Sequence, residues 1–240
     1  MKGGKMGKVL ITGGTRGIGL ACVRKFIEGG FEVITAVRKA SPVLSEDKRI
    51  KIIECDLSDR ASVRCLPGET GEIDILINNA GVMNGLPYDE YTDEAVDHIT
   101  ELNLRTPVTL STIYGKQMAE RGSGRIVNVA SQASVAGNPD IWYGMTKAAL
   151  VNFTKSLAGL IGGKGVMVNA VSPGPVETEM VSGSPYGERF EKIRKRTYLG
   201  RFARPAEIAD IVYWLSNEAP PYLNGENIII NNGLLGLEMF

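Results

Sequence analysis

Residues 8–30 read KVLITGGTRGIGLACVRKFIEGG, and they decide the fold. The run at 8–12 is short, β-branched and apolar, as a strand buried on both faces is. It leads without a break into Gly13, Gly14, Thr15, Arg16, Gly17, Ile18 and Gly19. Residues 20–30 then form an amphipathic helix closed by Gly29 and Gly30. Strand, glycine turn and helix together are the setting in which glycines cradle phosphate. They let the backbone approach a pyrophosphate, and the helix N-terminus adds free N–H groups and the positive end of its dipole. A glycine triplet alone is a weak sign. In this setting it points to nucleotide binding.

The rest of the chain repeats the alternation. Residues 31–37 (FEVITAV), 48–55 (KRIKIIEC), 72–77 (EIDILI), 124–130 (GRIVNVA), 165–171 (GVMVNAV) and 225–231 (GENIIIN) read as further strands. Helices are expected at about 93–120, at 141–161 and at 205–216, the last with proline in its first turn. A brief helix after residue 58 is expected to be cut short by Pro67-Gly68. The fold class is therefore α/β: one Rossmann-type domain over residues 1–240, with a seven-stranded, doubly wound parallel sheet and helices on both faces. Residues 181–205 read as a polar, loop-rich stretch after a strand end. They suggest a substrate lid at about 180–199, carrying Met180, Tyr186, Phe190, Tyr198 and Leu199.

The end of the second strand bears on the nucleotide. A carboxylate there would meet a ribose 2′-hydroxyl, and a cation a 2′-phosphate. The chain has Arg38 and Lys39 and no acid, with Arg16 in the glycine loop as a second cation. Guanidinium geometry suits phosphate, although both arginines could be solvated surface groups. Asp56 follows the third strand and could equally cap the next helix. Asn78, Asn79, Ala80 and Gly81 end the fourth strand with small groups that permit close approach to a ligand. Asn103 sits inside a predicted helix, where an amide either faces solvent or has a task.

Residues 131–147, SQASVAGNPDIWYGMTK, hold the candidate chemistry. Ser131 sits at a strand end, where the sites of open α/β sheets collect. Tyr143 and Lys147 are one helical turn apart on one face. An ammonium beside a phenol is expected to stabilise the phenolate and lower its pKa toward the range useful for acid–base work. Taken alone, a YxxxK pattern is common by chance and usually lies on a solvated surface.

Composition narrows the field. The chain has 240 residues, 43% hydrophobic and 22% charged, with 27 basic and 27 acidic side chains. Zero net charge gives no electrostatic case for nucleic acid or an anionic membrane. No run approaches a membrane span, and no secretory leader is evident. Three scattered cysteines, Cys22, Cys55 and Cys65, suggest free thiols in a reducing cytoplasm. The single histidine, His98, is read as a surface residue. It leaves no multi-histidine metal site, so none is expected, and no GxSxG elbow accompanies it.

Taken in order, TGGTRGIG, Asp56, NNAG, Asn103, Ser131, YxxxK, VSPGPVET and LGRFARPAEIA resemble the short-chain dehydrogenase/reductases over nearly the whole length. The nearest likeness is to 3-oxoacyl-(acyl carrier protein) reductases. The resemblance implies NADP(H) as cofactor. Tyr143 would give a proton to the substrate oxygen, Ser131 would polarise the carbonyl, and Lys147 would lower the Tyr143 pKa and bind the nicotinamide ribose. Asn103 would hold a water linking Lys147 to solvent. Gly13, Gly14, Thr15, Arg16, Gly17, Ile18 and Gly19 would form the pyrophosphate loop, with Arg38 at the 2′-phosphate. Asp56 and Leu57 would meet the adenine, and Asn79, Ala80 and Gly81 the ribose side. Pro173, Gly174, Val176 and Thr178 would hold the carboxamide end.

The implied activity is reduction of a 3-oxoacyl thioester or similar ketone. The alternative is an NADP-linked dehydrogenase of a sugar, polyol or steroid alcohol. A non-catalytic NADP-binding sensor or scaffold is more remote. Met83, Asn84, Trp142 and Val176 are candidates for the pocket border. Arg121 and Lys164 are candidates for docking an acyl carrier protein. A homotetramer or homodimer is implied by analogy, with the apolar tail LLGLEMF suited to burial in one. Two departures from the family stand out. The crossovers at 39–48 and 58–72 are short, so their helices are expected to be reduced to turns. The Ser131–Tyr143 spacing is one residue less than in many relatives, which makes Ser134 a possible substitute.

Overall fold

A computed structural model of the chain describes residues 7–45, 47–182 and 187–234. In chain order the elements are β1 (Lys8–Thr12), α1 (Gly17–Glu28), β2 (Glu32–Val37), α2 (Pro42–Ser45), β3 (Ile50–Glu54), α3 (Arg60–Thr70) and β4 (Ile75–Asn78). They continue with α4 (Asp93–Thr100), a π turn (Glu101–Arg105), α5 (Thr106–Arg121), β5 (Gly124–Val129), α6 (Ile141–Ile161) and β6 (Val166–Pro173). The last are α7 (Glu179–Ser182), α8 (Gly187–Arg196), α9 (Pro205–Asn217) and β7 (Asn227–Ile230). Short 3₁₀ turns at Gln132–Ser134 and Gly162–Lys164 flank α6.

The seven strands form one parallel sheet in the order β3-β2-β1-β4-β5-β6-β7. Alternation along each strand divides the core between the two faces. Val9 and Ile11 of β1 and Ile75 and Ile77 of β4 pack with Phe26 of α1 and Val212 of α9. Leu10 and Leu76 point the other way, onto Leu66 of α3, Leu110 and Tyr114 of α5 and Leu157 of α6. This period-2 division lets apolar runs be buried on both sides. Strand order reverses between β1 and β4, so the loops there part and leave a crevice at the carboxyl ends of the strands.

Three local expectations are corrected and one holds. The crossover after β3 is not reduced to a turn: α3 runs for 11 residues and keeps Pro67 inside it. Proline removes one hydrogen bond at its own nitrogen. The helix still closes with Gly71 N–H on the Pro67 carbonyl, 3.0 Å, and ends at Gly71, whose φ is +65°. The crossover after β2 does shrink to the single turn of α2. The helix expected over 93–120 is interrupted by a π turn, which places one extra residue in the middle of the run. The stretch after β6 is not loop-rich throughout, since α8 occupies ten residues of it.

Candidate active site

A cleft of about 710 Å³ lies across the carboxyl ends of β1, β2, β4, β5 and β6. One end is the turn after β1. Gly13 has φ +74°, a conformation that favours glycine. A Cβ on Gly19 would overlap the Gly13 carbonyl oxygen. The turn is thus closed tightly onto the start of α1 and leaves the N–H end of that helix facing the cleft. Asn79 fastens the turn to β4, donating from Nδ2 to the carbonyls of Thr12 (3.0 Å) and Gly13 (3.2 Å). Thr12 Oγ1 accepts from the N–H groups of Asn79 (3.0 Å) and Ala80 (3.1 Å). Sequence reasoning missed Thr12; its signal was a β-branched hydroxyl beside the glycines.

Arg16, Arg38 and Lys39 line the same end. Arg16 lies 3.2 Å from the Glu179 carboxylate, both side chains being largely exposed. Asp56 does not cap a helix. Its Oδ1 accepts from the N–H (2.9 Å) and hydroxyl (2.6 Å) of Ser58, and these bonds hold its carboxyl below the usual range. The cap of α3 is Asp59, which accepts from Ser62 N–H at 2.8 Å.

The other end of the cleft carries Ser131, Tyr143 and Lys147. Ser131 is buried at the end of β5, where its Oγ accepts from Ala133 N–H at 3.2 Å. The Ser131 hydroxyl also lies near enough to the Tyr143 phenol to act against the rise in its pKa. Ser134 is turned away onto Ser172, Oγ to Oγ 3.2 Å, and Ser172 in turn donates to Asn227. That leaves Ser131 as the serine of the site.

Lys147 is 4% exposed. Its Nζ donates to the Val129 carbonyl at 2.9 Å and lies 5.7 Å from the centre of the Tyr143 ring. Burial pulls its pKa down to about 8. Burial also pushes the Tyr143 phenol above its ordinary value, opposed by the Ser131 hydroxyl and reinforced by the charge of Asp140. The expectation that Lys147 draws this phenol down is corrected for the chain by itself. In so dry a corner the cost of desolvating a phenolate outweighs the neighbouring cation.

The rotation of α6 is set from beneath. Asn78 Nδ2 donates to Ser111 of α5 and to Asn128 Oδ1 of β5, each at 2.8 Å. Asn128 Nδ2 donates to Thr154 of α6 at 2.9 Å. Thr154 lies two turns from Lys147 on one face, so this buried ladder sets the direction of the Lys147 and Tyr143 side chains.

Asn103 is buried in the π turn, not facing solvent. Its Nδ2 donates to the Val82 carbonyl and its Oδ1 accepts from Val82 N–H, both at 2.8 Å. A Cβ on Gly81 would lie 3.2 Å from Asn103 Oδ1 and 3.3 Å from Lys147 Nζ. The amide is therefore spent mainly on the chain after β4, leaving one lone pair of Oδ1 beside the ammonium. Inserting a residue there is what turns Asn103 inward, a common use of π segments.

Gly17, Ile18, Ala80, Leu57, Pro173, Gly174, Val176 and Thr178 line the cleft as expected, and so do Met83, Met180, Val181 and Ile193. Asn84 and Trp142 do not line it. Tyr186 and the side chain of Phe190 lie outside the described residues. Arg121 and Lys164 are at the wrong place for a site mouth. They precede β5 and β6, at the amino edge of the sheet, and Arg121 is held by Glu72, Asp74 and the Ile73 carbonyl. His98 is exposed on α4 at the cleft.

Residues 13–235 match the family model described as enoyl-(acyl carrier protein) reductase. The chain is 35% identical over 240 residues to D-threitol dehydrogenase of Mycolicibacterium smegmatis, covering 95% of this chain and 92% of that one. It is 34% identical over 242 residues to the 3-oxoacyl-[acyl-carrier-protein] reductase FabG of Aquifex aeolicus, covering 95% and 97%. Its fold superposes with TM-score 0.89 and 29% identity on an NADP-bound structure from Beutenbergia cavernae described as an NAD(P)-dependent gluconate 5-dehydrogenase, covering 95% and 96%. With these matches over almost its whole length, the chain belongs to the short-chain dehydrogenase/reductases, oxidoreductases that act on alcohol and carbonyl groups.

Proposed function

We propose that the protein is an NADP(H)-dependent reductase of a 3-oxoacyl thioester or similar ketone, with Tyr143 as the acid. One observation carries this reading: a single cleft joins a glycine cradle and two arginines at one end to Ser131, Tyr143 and Lys147 at the other. The residues fit a dinucleotide. The space a Cβ would take at Gly19 is closed by the Gly13 backbone, so the turn packs tightly on the start of α1, where a helix offers free N–H groups, and the cleft has the size usual for ligand sites. Arg16 and Arg38 would hold the 2′-phosphate, since β2 ends without a carboxylate. Asp56 and Leu57 would border the adenine, and Gly174, Val176 and Thr178 the nicotinamide end. Bound NADPH supplies the hydride.

The protein's own part is to orient the substrate and deliver one proton. Ser131 holds the substrate oxygen beside Tyr143. The Tyr143 hydroxyl gives its proton to that oxygen as negative charge develops on it. Lys147, fixed on the Val129 carbonyl, offsets the charge left on the phenolate. Asn103 braces Gly81 and Val82 against the ammonium and offers its free lone pair to the water that restores the proton. The segment at about 180–199 acts as a lid, supported by Met180, Val181 and Ile193 on the cleft wall. Assembly into a homodimer or homotetramer is supported by Met145 and Leu160, which α6 leaves exposed.

The second reading, oxidation of a polyol or other alcohol, is supported by the D-threitol dehydrogenase relative. The same residues then serve in reverse, with Tyr143 as base. Purified protein is assayed with NADPH against a 3-oxoacyl thioester, a 3-oxoester and a keto sugar, and with NADP⁺ against threitol. Turnover of the thioester is expected, and turnover of threitol alone would select the second reading. Tyr143→Phe should bind NADPH as before and lose turnover at least 100-fold; retained turnover would overturn the mechanism.

A further inference from the structure

Asp140 is fully buried, and no cation is paired with it among the described residues. It caps α6, three residues before Tyr143. Its Oδ1 accepts from Tyr143 N–H at 2.9 Å and from the Tyr91 hydroxyl. Its Oδ2 accepts from the N–H groups of Asn84 (2.8 Å) and Gly85 (2.9 Å). Three of these four partners are backbone N–H groups that can only donate, so the group they fit is a carboxylate. Its own N–H is turned onto Asn138 Oδ1 at 2.9 Å. One carboxylate therefore ties the segment after β4 to the first turn of the helix that carries the acid. A neutral asparagine in its place would turn an NH₂ toward donors.

We propose that Asp140 is a positioning residue of the reaction: it seats the Tyr143 end of α6 against the 82–91 segment and keeps a negative charge at the helix turn that carries Tyr143, so that Tyr143 stays protonated and works as an acid. The proposal rests on Tyr143 being the proton donor. Burying an unpaired charge is costly, and a cap of serine or threonine would serve the helix without it. The retained charge is thus not explained by capping alone. Its electrostatic direction agrees with the effect on Tyr143, where the Asp140 charge adds to burial.

The other ionisable groups around this corner are as follows. Lys147 and Lys155 are on the same helix, and the tied segment carries Tyr91 and the exposed Tyr88, Asp89 and Glu90. Helix α4 contributes Asp93, Glu94, Asp97 and His98, all exposed, and the π turn contributes Glu101, paired with Arg60 and Arg105. Those of α5 are Tyr114, which is bonded to Thr70, and Lys116, Glu120 and Arg121 toward its C-terminal end. The ionisable side chain of β5, Arg125, is bonded to the Leu215 carbonyl, and β6 has none.

The test is the pH profile of kcat in both directions for the intact wild-type enzyme, Asp140→Asn and Tyr91→Phe, with NADPH affinity and Tm measured alongside. In Asp140→Asn the oxidation limb should begin, and the reduction limb should fall, at lower pH than in wild type. Its kcat should drop by about 10- to 100-fold through misplacement of the phenol. Tyr91→Phe removes one donor and leaves the carboxylate less neutralised, so its profile should move to higher pH. Should Asp140→Asn fail to fold, Tyr91→Phe decides by itself. A folded Asp140→Asn whose profile coincides with wild type, or a Tyr91→Phe profile that does not move, would overturn the proposal. A wild-type profile with no titration, or full turnover in Tyr143→Phe, would instead count against the acid role of Tyr143.

Discussion

Lys147→Met should make the protein more stable while abolishing its chemistry. Burial brings the Lys147 ammonium from its ordinary 10.5 to about 8. At about 1.4 kcal/mol per pH unit, the folded state bears a cost of about 3 kcal/mol for keeping that charge at pH 7. Replacement by methionine removes the charge at similar length. It also takes the Nζ donor from the Val129 carbonyl, a loss of about 1 kcal/mol. The net gain is about 2 kcal/mol, or roughly 4–8 °C in Tm for a chain of this size. The sign follows from linkage. The folded pKa lies below the unfolded one, so between pH 8 and 10.5 the unfolded chain holds more protons and wild-type stability rises with pH. Below pH 8 the full cost is present. The gap between variant and wild type should therefore be largest at pH 7 and below, narrow above pH 8, close near pH 10 and reverse slightly above it, where only the lost Val129 bond remains. The assay is thermal unfolding of both proteins at equal concentration, without nucleotide, across that range. A variant no more stable than wild type at pH 7, or a gap that does not change with pH, would refute the reasoning.

Two further outcomes follow from the same geometry. Arg38→Ala should weaken NADPH binding by about 10- to 100-fold and leave NADH unchanged, which is the scale of a lost charge-assisted contact. Arg16→Ala should do less, because Arg16 must first leave Glu179; titration of each variant with both nucleotides by fluorescence checks this. Asn103→Ala strips the partners from the N–H and C=O of Val82, at a cost of about 3 kcal/mol, and should lower Tm by roughly 6–12 °C with a matching loss of turnover. An unchanged Tm would show that the Asn103 bracket is not made.

The sequence by itself determined the alternation of strands and helices, the glycine turn and most of the residues that meet in the cleft. These depend on short-range chemistry. Period-2 runs such as 8–12 can bury both faces only in a covered parallel sheet, and Gly13 and Gly19 are required by a turn closed within seven residues. Sheet order then brings Gly13, Asn79, Ser131 and Pro173 to one edge, because each follows a strand end. What only the tertiary structure decided is how those groups are held and how dry they are. Asn103 faces inward because a π turn rotates it, and its partner is Val82, 21 positions away. Arg121 and Lys164 sit at the opposite edge of the sheet, a matter of which end of a strand each precedes. Asp140 drew no reading from the sequence, since three of its partners come from 49 to 56 positions earlier in the chain. The pKa values of Tyr143 and Lys147 follow the same logic. Helical spacing places an ammonium near a phenol, but the desolvation that decides both depends on every element packed around them.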